Sequence, residues 1–386
     1  MNNGIKLYSY TPERLKKFKE QKSEKDEIVP LIDILEKKDG NVSAKLKKNI
    51  EENDKNIYVD ITNIYKSQES RILLENIISQ AINSNYNFII NSNLIERFNG
   101  DFGYSIDEVR TIQSIYDSHE ANFNFSNIDK KKIKLLENNL KEKLYGHDEF
   151  KKEFIRQIKN YSILYNLEEI KIMSLLICGN SGTGKTELAK IVHETFFSDS
   201  NLIKINLGNY KSEGALNSLI GSPKGYYGSE RGGELSNKIR NSDSKVILID
   251  EFEKANSDIF NFFYELLEDG IFTDLSENEY NVNGYLIIFT TNLQEKNYKE
   301  VIPAPLLSRF TMKALFEPVS NEEKSRYVNE KIKSLVDKYE NKYSKKIKFH
   351  DVLKNIDMAA VENTSNFRYI NRIIQKALIS VIEKDN

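Results

Sequence analysis

Eight consecutive residues carry the clearest chemistry in this chain: Gly179-Asn180-Ser181-Gly182-Thr183-Gly184-Lys185-Thr186. They fit GxxxxGK[ST] at every fixed position, and the residue types suit phosphate. Three glycines let a loop wrap so that backbone N–H groups converge on the β-phosphate of a nucleotide. A helix opening at the end of the loop adds its positive N-terminal end. Lys185 is expected to reach the β and γ phosphates, and the Thr186 hydroxyl to ligate Mg²⁺. Such a pattern has meaning only between a strand and a helix. IKIMSLLICG (170–179) is a continuous apolar run that stops at a glycine, as a buried parallel strand does. ELAKIVHETFF (187–197) continues as a helix. Cys178, on that strand, reads as a small buried apolar residue.

A second constellation follows in KVILIDEFEKAN (245–256). Val246 to Ile249 is another buried-strand run, and it ends in Asp250-Glu251. In doubly wound sheets, ligands lie at the carboxyl ends of the strands. Asp250 is therefore expected to face the same Mg²⁺ as Thr186, with Glu251 polarising the attacking water. A third strand, GYLIIFTTN (284–292), ends in Asn292, an amide able to hold the lytic water or sense the γ-phosphate.

The elements that position these groups stand in a chain of 386 residues, long enough for two or three domains. Lys plus Arg number 56 against 58 Asp plus Glu, which gives no electrostatic case for a dedicated nucleic-acid binder. The single cysteine excludes an internal disulfide framework and fits a reducing compartment. His119, His147, His193 and His350 are too scattered for a metal site. No apolar stretch is long enough to span a membrane, and the first residues lack the apolar core of a signal peptide, so a cytoplasmic location is expected. Residues 1–56 are highly charged and predict one or two short surface helices. Beyond them a strand is expected at 56–62, a helix at 69–82 and a strand at 86–92, which together make a small α/β unit with no legible chemistry. DKKKIKLLENNLKEKLYGHDEF (129–150) reads as a charged helix ending near Gly146.

Several stretches in order resemble the AAA+ superfamily, and within it the Clp-type protein unfoldases, above all the second ATPase module of ClpB, ClpA and ClpC. LLENNLKEKLYGHDE (135–149), with Leu144 and Tyr145, resembles the lead-in helix and adenine-side segment. GKTELAK (184–190) matches the family wording. LIGSPKGYYGSERGGELSNKIR (219–240) resembles the substrate-loop region. DEFEKANSDIF (250–260) and LLEDGIFTD (266–274) resemble the surroundings of the catalytic carboxylates. LLSRF (306–310) and NFRYINRIIQKAL (366–378) resemble the arginine-finger and sensor-2 regions. The resemblance covers about residue 131 to the C-terminus. Residues 1–130 lie outside it, and are too few for the additional ATPase module found in double-ring members.

The resemblance implies an αβα sandwich with a parallel sheet at 131–317, a small helical lid at 318–386, and a divergent α/β or mainly helical region at 1–130. It implies ATP and Mg²⁺ as cofactors, Glu251 as catalytic base and Asn292 as sensor 1. Arg309 is implied as a finger reaching a neighbouring subunit, and Arg368 as the sensor-2 arginine. A finger in trans implies a homo-oligomeric ring, by family a hexamer. Tyr226 and Tyr227, between Gly225 and Gly228, fall at the pore-loop position, where an aromatic grips an extended protein client by apolar area and stacking. Only sixteen residues separate Asn292 from Arg309, and they hold no Ile-Gly-Leu or Ile-Gly-Phe tripeptide for docking a barrel protease. An ATP-driven protein remodeller is the leading expectation. A nucleotide-dependent switch or scaffold without threading is the alternative. The aromatic rather than basic pore loop weighs against a nucleic-acid motor.

Overall fold

The computed structural model describes residues 5–22, 26–31, 35–38, 41–46, 56–65, 70–81, 86–102, 106–112, 123–198, 200–210, 214–222, 232–275 and 277–384. The chain divides into two compact units. Unit 1 is Met1–Phe123 with Asp199–Asn201 and Asn237–Asp243, and unit 2 is the remainder.

Unit 1 is built on strands β1 (Ile5–Tyr10), β2 (Asp26–Pro30), β5 (Asn56–Asp60), β6 (Tyr86–Asn91) and β7 (Ile106–Thr111). They form one parallel sheet in the order β2-β5-β6-β1-β7. A separate antiparallel hairpin, β3 (Leu35–Lys38) and β4 (Asn41–Leu46), lies between β2 and β5 in the chain. Helices α1 (Pro12–Gln21), α2 (Thr62–Tyr65), α3 (Ser70–Ala81) and α4 (Ile95–Phe102) fill the crossovers. Neighbouring residues of a strand point to opposite faces, and both faces here are buried. Leu7, Val59, Phe88 and Ile90 pack with Leu74, Ile77 and Phe98 on one side. Tyr8, Tyr58 and Ile89 pack with Phe18 of α1 on the other.

The strand–helix–strand expectation for 56–92 matches β5, α3 and β6. The expectation of surface helices over 1–56 is corrected: this stretch supplies β1, β2 and the hairpin, with one helix, α1, among them. β1 is an interior strand, hydrogen-bonded on both edges, and its Ile5 and Leu7 are buried. Long-range pairing with residues some eighty to a hundred positions away decides its state, and no local pattern reveals that.

Unit 2 opens with helices α5 (Lys130–Lys143) and α6 (Asp148–Asn166). Its sheet is again parallel: β8 (Met173–Cys178), β9 (Ile203–Asn206), β10 (Val246–Asp250), β13 (Leu286–Thr290) and β14 (Met312–Leu315), in the order β14-β8-β13-β10-β9. Every residue of β8 and of β13 is buried, which is why both read as unbroken apolar runs. Helix α7 (Lys185–Phe196) follows β8, and α10 (Ser257–Asp269) follows β10 with Asn256 capping it through Ile259 N. A short hairpin, β11 (Ile271–Thr273) and β12 (Glu279–Asn281), precedes β13, and α11 (Glu295–Val301) and α12 (Ala304–Arg309) follow it. In the chain, α8 (Ala215–Ile220) precedes residues 223–231 and α9 (Glu234–Arg240) follows them, with α9 from Asn237 onward belonging to unit 1. After β14 the chain is helical: α13 (Asn321–Tyr343), α14 (Phe349–Lys354), α15 (Met358–Glu362) and α16 (Phe367–Lys384). These four share a core of their own, with Val328, Ile332, Val352, Ile370, Ile374 and Val381 at its centre. Among the described residues no helix is long and apolar enough to cross a membrane.

Candidate nucleotide site

The loop between β8 and α7 takes the shape its glycines permit. Gly179, Gly182 and Gly184 all have positive φ, at 131°, 85° and 101°. Two of them also clear close approaches. A Cβ on Gly179 would sit 2.4 Å from the Phe316 carbonyl oxygen, and one on Gly182 would sit 2.1 Å from Asn366 Oδ1. Thr183 is buried, and its hydroxyl donates to the Asn180 carbonyl at 3.0 Å. The loop is thereby fixed with its backbone at the N-terminus of α7.

Lys185, the first residue of α7, is buried. Its ammonium donates to the carbonyls of Gly179 (2.6 Å) and Asn180 (2.8 Å) and to Asn292 Oδ1 (3.2 Å). Burial pulls its pKa down to about 8 against the opposing charges of Asp250 and Glu253. Asp250 ends β10. Burial pushes its carboxyl up, but hydrogen bonds from Thr290 and Lys204, with the charges of Lys204 and Arg368, outweigh that and hold it below the usual range. Thr290 Oγ1 donates to Oδ1 at 2.5 Å, and Lys204 Nζ lies 3.0 Å from Oδ2. Glu251 follows in a left-handed conformation, φ 59°, unusual for a side-chain-bearing residue. That turn brings its carboxylate over Gly208, where a Cβ would lie 2.4 Å from Oε2. Asn292 also donates to Glu253 Oε1 at 3.3 Å.

The start of α16 reaches the same loop. Phe367 N donates to the Gly182 carbonyl at 3.1 Å, and Arg368 Nη1 to Ser181 Oγ at 3.3 Å. Before α6, Leu144 is buried, with Cδ1 3.3 Å from where a Gly184 Cβ would be. Tyr145 meets Tyr327 edge-on at 4.9 Å, lies 6.0 Å from Phe367, and donates to Glu330 Oε2 at 2.6 Å. His147 stacks on Phe316 at 4.0 Å, and its Nε2 lies 3.0 Å from the Thr183 carbonyl oxygen.

One cavity of about 990 Å³ has a lining that includes Leu144, Tyr145, Lys185, Thr186, Asp250, Glu251, Asn292 and Arg368. The chemistry of the donors fits a magnesium–nucleotide. The lining supplies the Lys185 ammonium and the N-terminus of α7, together with the Thr186 hydroxyl and the Asp250 carboxylate, both hard oxygen donors. Thr186 and Asp250 would hold the metal, which when bound would neutralise charge on the phosphates.

Arg309 is elsewhere. It ends α12, outside the cavity lining, with Nη1 2.7 Å from Glu268 and Nη2 3.1 Å from the Tyr264 hydroxyl, its guanidinium 5.1 Å above the Tyr264 ring. Tyr226 and Tyr227 lie outside the described residues. Lys204 and Tyr327 also line the cavity, and no motif in the sequence marks either of them. A lysine near the end of a strand reads as a solvated residue, and Tyr327 reads as one more aromatic on a long helix.

A family model described as "AAA domain (Cdc48 subfamily)" matches residues 170–345. The chaperone protein ClpB of Clostridium perfringens is 36% identical over 166 residues, 43% of this chain and 19% of that protein. ClpB of Malacoplasma penetrans is 30% identical over 269 residues, 66% of this chain and 38% of the relative. The chloroplastic chaperone protein ClpD of Arabidopsis thaliana is 36% identical over 159 residues, 41% of this chain and 17% of the relative. The matched stretches thus span well under half the length of these relatives. Among solved structures, a closed-state cryo-electron-microscopy reconstruction of Hsp104 with ATPγS and FITC casein matches with a TM-score of 0.55 at 21% identity, covering 81% of this chain and 55% of that one. Over residues 170–345, then, this chain is similar to the AAA domains of Clp-type chaperone proteins.

Proposed function

We propose that the chain hydrolyses ATP to thread or dissociate a protein client through a ring of its own copies. The observation that carries the nucleotide half is the convergence of Lys185, Thr186, Asp250, Glu251, Asn292 and Arg368 on one cavity. In this reading Lys185 and the loop N–H groups hold the phosphates, Thr186 and Asp250 hold Mg²⁺, and Glu251 accepts a proton from the attacking water. Asn292 orients that water, and Arg368 couples the helices after β14 to the bound phosphates. Leu144 and Tyr145 flank the base. Residues 131–317 act as the nucleotide-binding domain and 318–386 as its lid, with 1–130 selecting the client.

Arg309 completes the site of a neighbouring copy. Glu268 and Tyr264 hold its guanidinium clear of its own cavity, and a guanidinium supplied in trans stabilises the spreading phosphoryl charge. Such a site is whole only in an oligomer, and a hexameric ring is the proposed form. Tyr226 and Tyr227 grip the client. The proposed location is cytoplasmic, with no docking to a barrel protease and no nucleic-acid substrate.

The alternative is a nucleotide-dependent switch or scaffold in which ring formation matters and threading does not. Tyr226→Ala separates the two. Threading predicts near-normal ATP turnover with loss of unfolding of a tagged client. A chain that remodels its client as before without Tyr226 fits the scaffold and contradicts threading.

A further inference from the structure

The two units repeat one topology. In unit 2 the five parallel strands, numbered by their order in the chain, lie fifth-first-fourth-third-second across the sheet. In unit 1 the strands β1, β2, β5, β6 and β7 lie second-third-fourth-first-fifth, the same order read from the other edge, and are again all parallel. Parallel crossovers are right-handed almost without exception, so both sheets have the same hand.

The correspondence holds at the level of register. Ile249 pairs with Phe289, and Phe289 with Leu176; Val59 pairs with Phe88, and Phe88 with Leu7. Asp250 follows Ile249, and Asp60 follows Val59. Asn292 lies three residues past Phe289, and Asn91 three past Phe88. Cys178 pairs with Leu315, and its carbonyl accepts from Phe316 N at 2.9 Å; Ser9 pairs with Thr111, and its carbonyl accepts from Ile112 N at 2.9 Å. Asp60 therefore occupies the place of Asp250, Asn91 that of Asn292, and Tyr10 that of Gly179. The fold likeness to Hsp104 covers 81% of the chain, more than residues 124–386 can supply, since they are 263 of 386, or about 68%.

Among the described residues, unit 1 has no phosphate cradle between its first strand and the helix that follows. Six residues, 179–184, separate β8 from α7, whereas Thr11 alone separates β1 from α1. Thr11 caps α1 through Arg14 N, and Pro12 opens the helix. Ile61, fully buried, stands where Glu251 stands. The polar groups at these positions bond to one another and to neighbouring backbone. The Tyr10 hydroxyl donates to Asp60 Oδ2 (3.0 Å) and shares a 2.8 Å bond with Thr62 Oγ1. Thr62 N donates to Asp60 Oδ1 (3.0 Å), and Asn91 N to Thr62 Oγ1 (3.0 Å). Asn91 Oδ1 accepts from Asn93 N at 3.0 Å, capping the next turn.

We infer that unit 1 is a second copy of the nucleotide-hydrolase sheet that has lost its phosphate loop, with Tyr10 tied to Asp60 and Thr62 where that loop would begin. It binds no nucleotide, and each chain carries one ATP site. Residues 1–130 are too few for a full ATPase module, but sufficient for its bare sheet and crossovers. The assignment of equivalent residues rests on the ATP-site reading of unit 2.

The test is a titration of the full chain with a fluorescent ATP analogue and Mg²⁺. One site per chain is expected in the wild type and none in Lys185→Ala. A second site, or one that survives Lys185→Ala and vanishes in Asp60→Ala, overturns the inference. A wild type that binds no analogue sinks the reading of unit 2 while agreeing with an empty unit 1. Tyr10→Phe supplies a further check: it is expected to lower the unfolding midpoint by about 2–8 °C and leave the affinity for the analogue unchanged within about twofold. A loss of affinity of about tenfold or more in Tyr10→Phe overturns the inference.

Discussion

Lys185 Nζ donates to Asn292 Oδ1 across 3.2 Å, which ties the first residue of the helix after the phosphate loop to the residue just past the neighbouring central strand. The same ammonium is shared with the carbonyls of Gly179 and Asn180, so its charge is satisfied by the protein's own oxygens. In the proposed function a bound phosphate would compete for that ammonium, and Asn292 would sense the exchange through this bond.

The pKa of Lys185, pulled down to about 8 by burial, makes ATP binding depend on pH. Bound phosphate favours the charged form, so the lysine's pKa rises on binding. Affinity is then full below pH 8 and falls as the pH climbs through 8 toward the pKa of the complex, by up to about tenfold per pH unit. At pH 8, binding takes up about half a proton per site. Calorimetric titration in two buffers of different ionisation enthalpy measures that uptake; an unchanged apparent enthalpy contradicts it.

Gly208 gives room to Glu251. A methyl group there would lie 2.4 Å from Oε2, so Gly208→Ala displaces the carboxylate without touching phosphate or metal ligands. The expected result is a fall in kcat of about ten- to a hundredfold, with KM for ATP within about threefold. Steady-state kinetics separate the two; an unaltered kcat means the carboxylate is not held where it acts.

Arg309, held by Glu268 and Tyr264 away from its own cavity, is expected to act on a neighbour. Arg309→Ala should lower turnover by about a thousandfold or more in assembled rings. Mixing Arg309→Ala chains with Glu251→Gln chains should restore part of the activity, because some interfaces then pair an intact finger with an intact base. Mixtures as inactive as their components would count against catalysis in trans.

The nucleotide site was legible in the sequence because its demands are local. Only glycine tolerates the positive φ and close approaches at Gly179 and Gly182, and an unbroken apolar run such as Val246–Ile249 ends where the sheet meets its ligand. Lys204 was not legible: its role depends on β9 lying beside β10, which puts Lys204 within 3.0 Å of Asp250. Unit 1 was the hardest part. Asp60 and Asn91 stand in equivalent places, yet no motif marks them, because the loop that would have announced them is missing. β1 was hidden for a similar reason. IKLYSY is a strand only through its partners Asn87–Asn91 and Ile106–Thr111, and the charged helix behind it dominates the local pattern.

Glu251→Gln bears most directly on the claim that this cavity hydrolyses ATP. The substitution keeps size and shape while removing the base. ATP affinity is predicted to stay within about twofold, while turnover falls by about a hundred- to ten-thousandfold. Hydrolysis at the wild-type rate in Glu251→Gln would contradict the account.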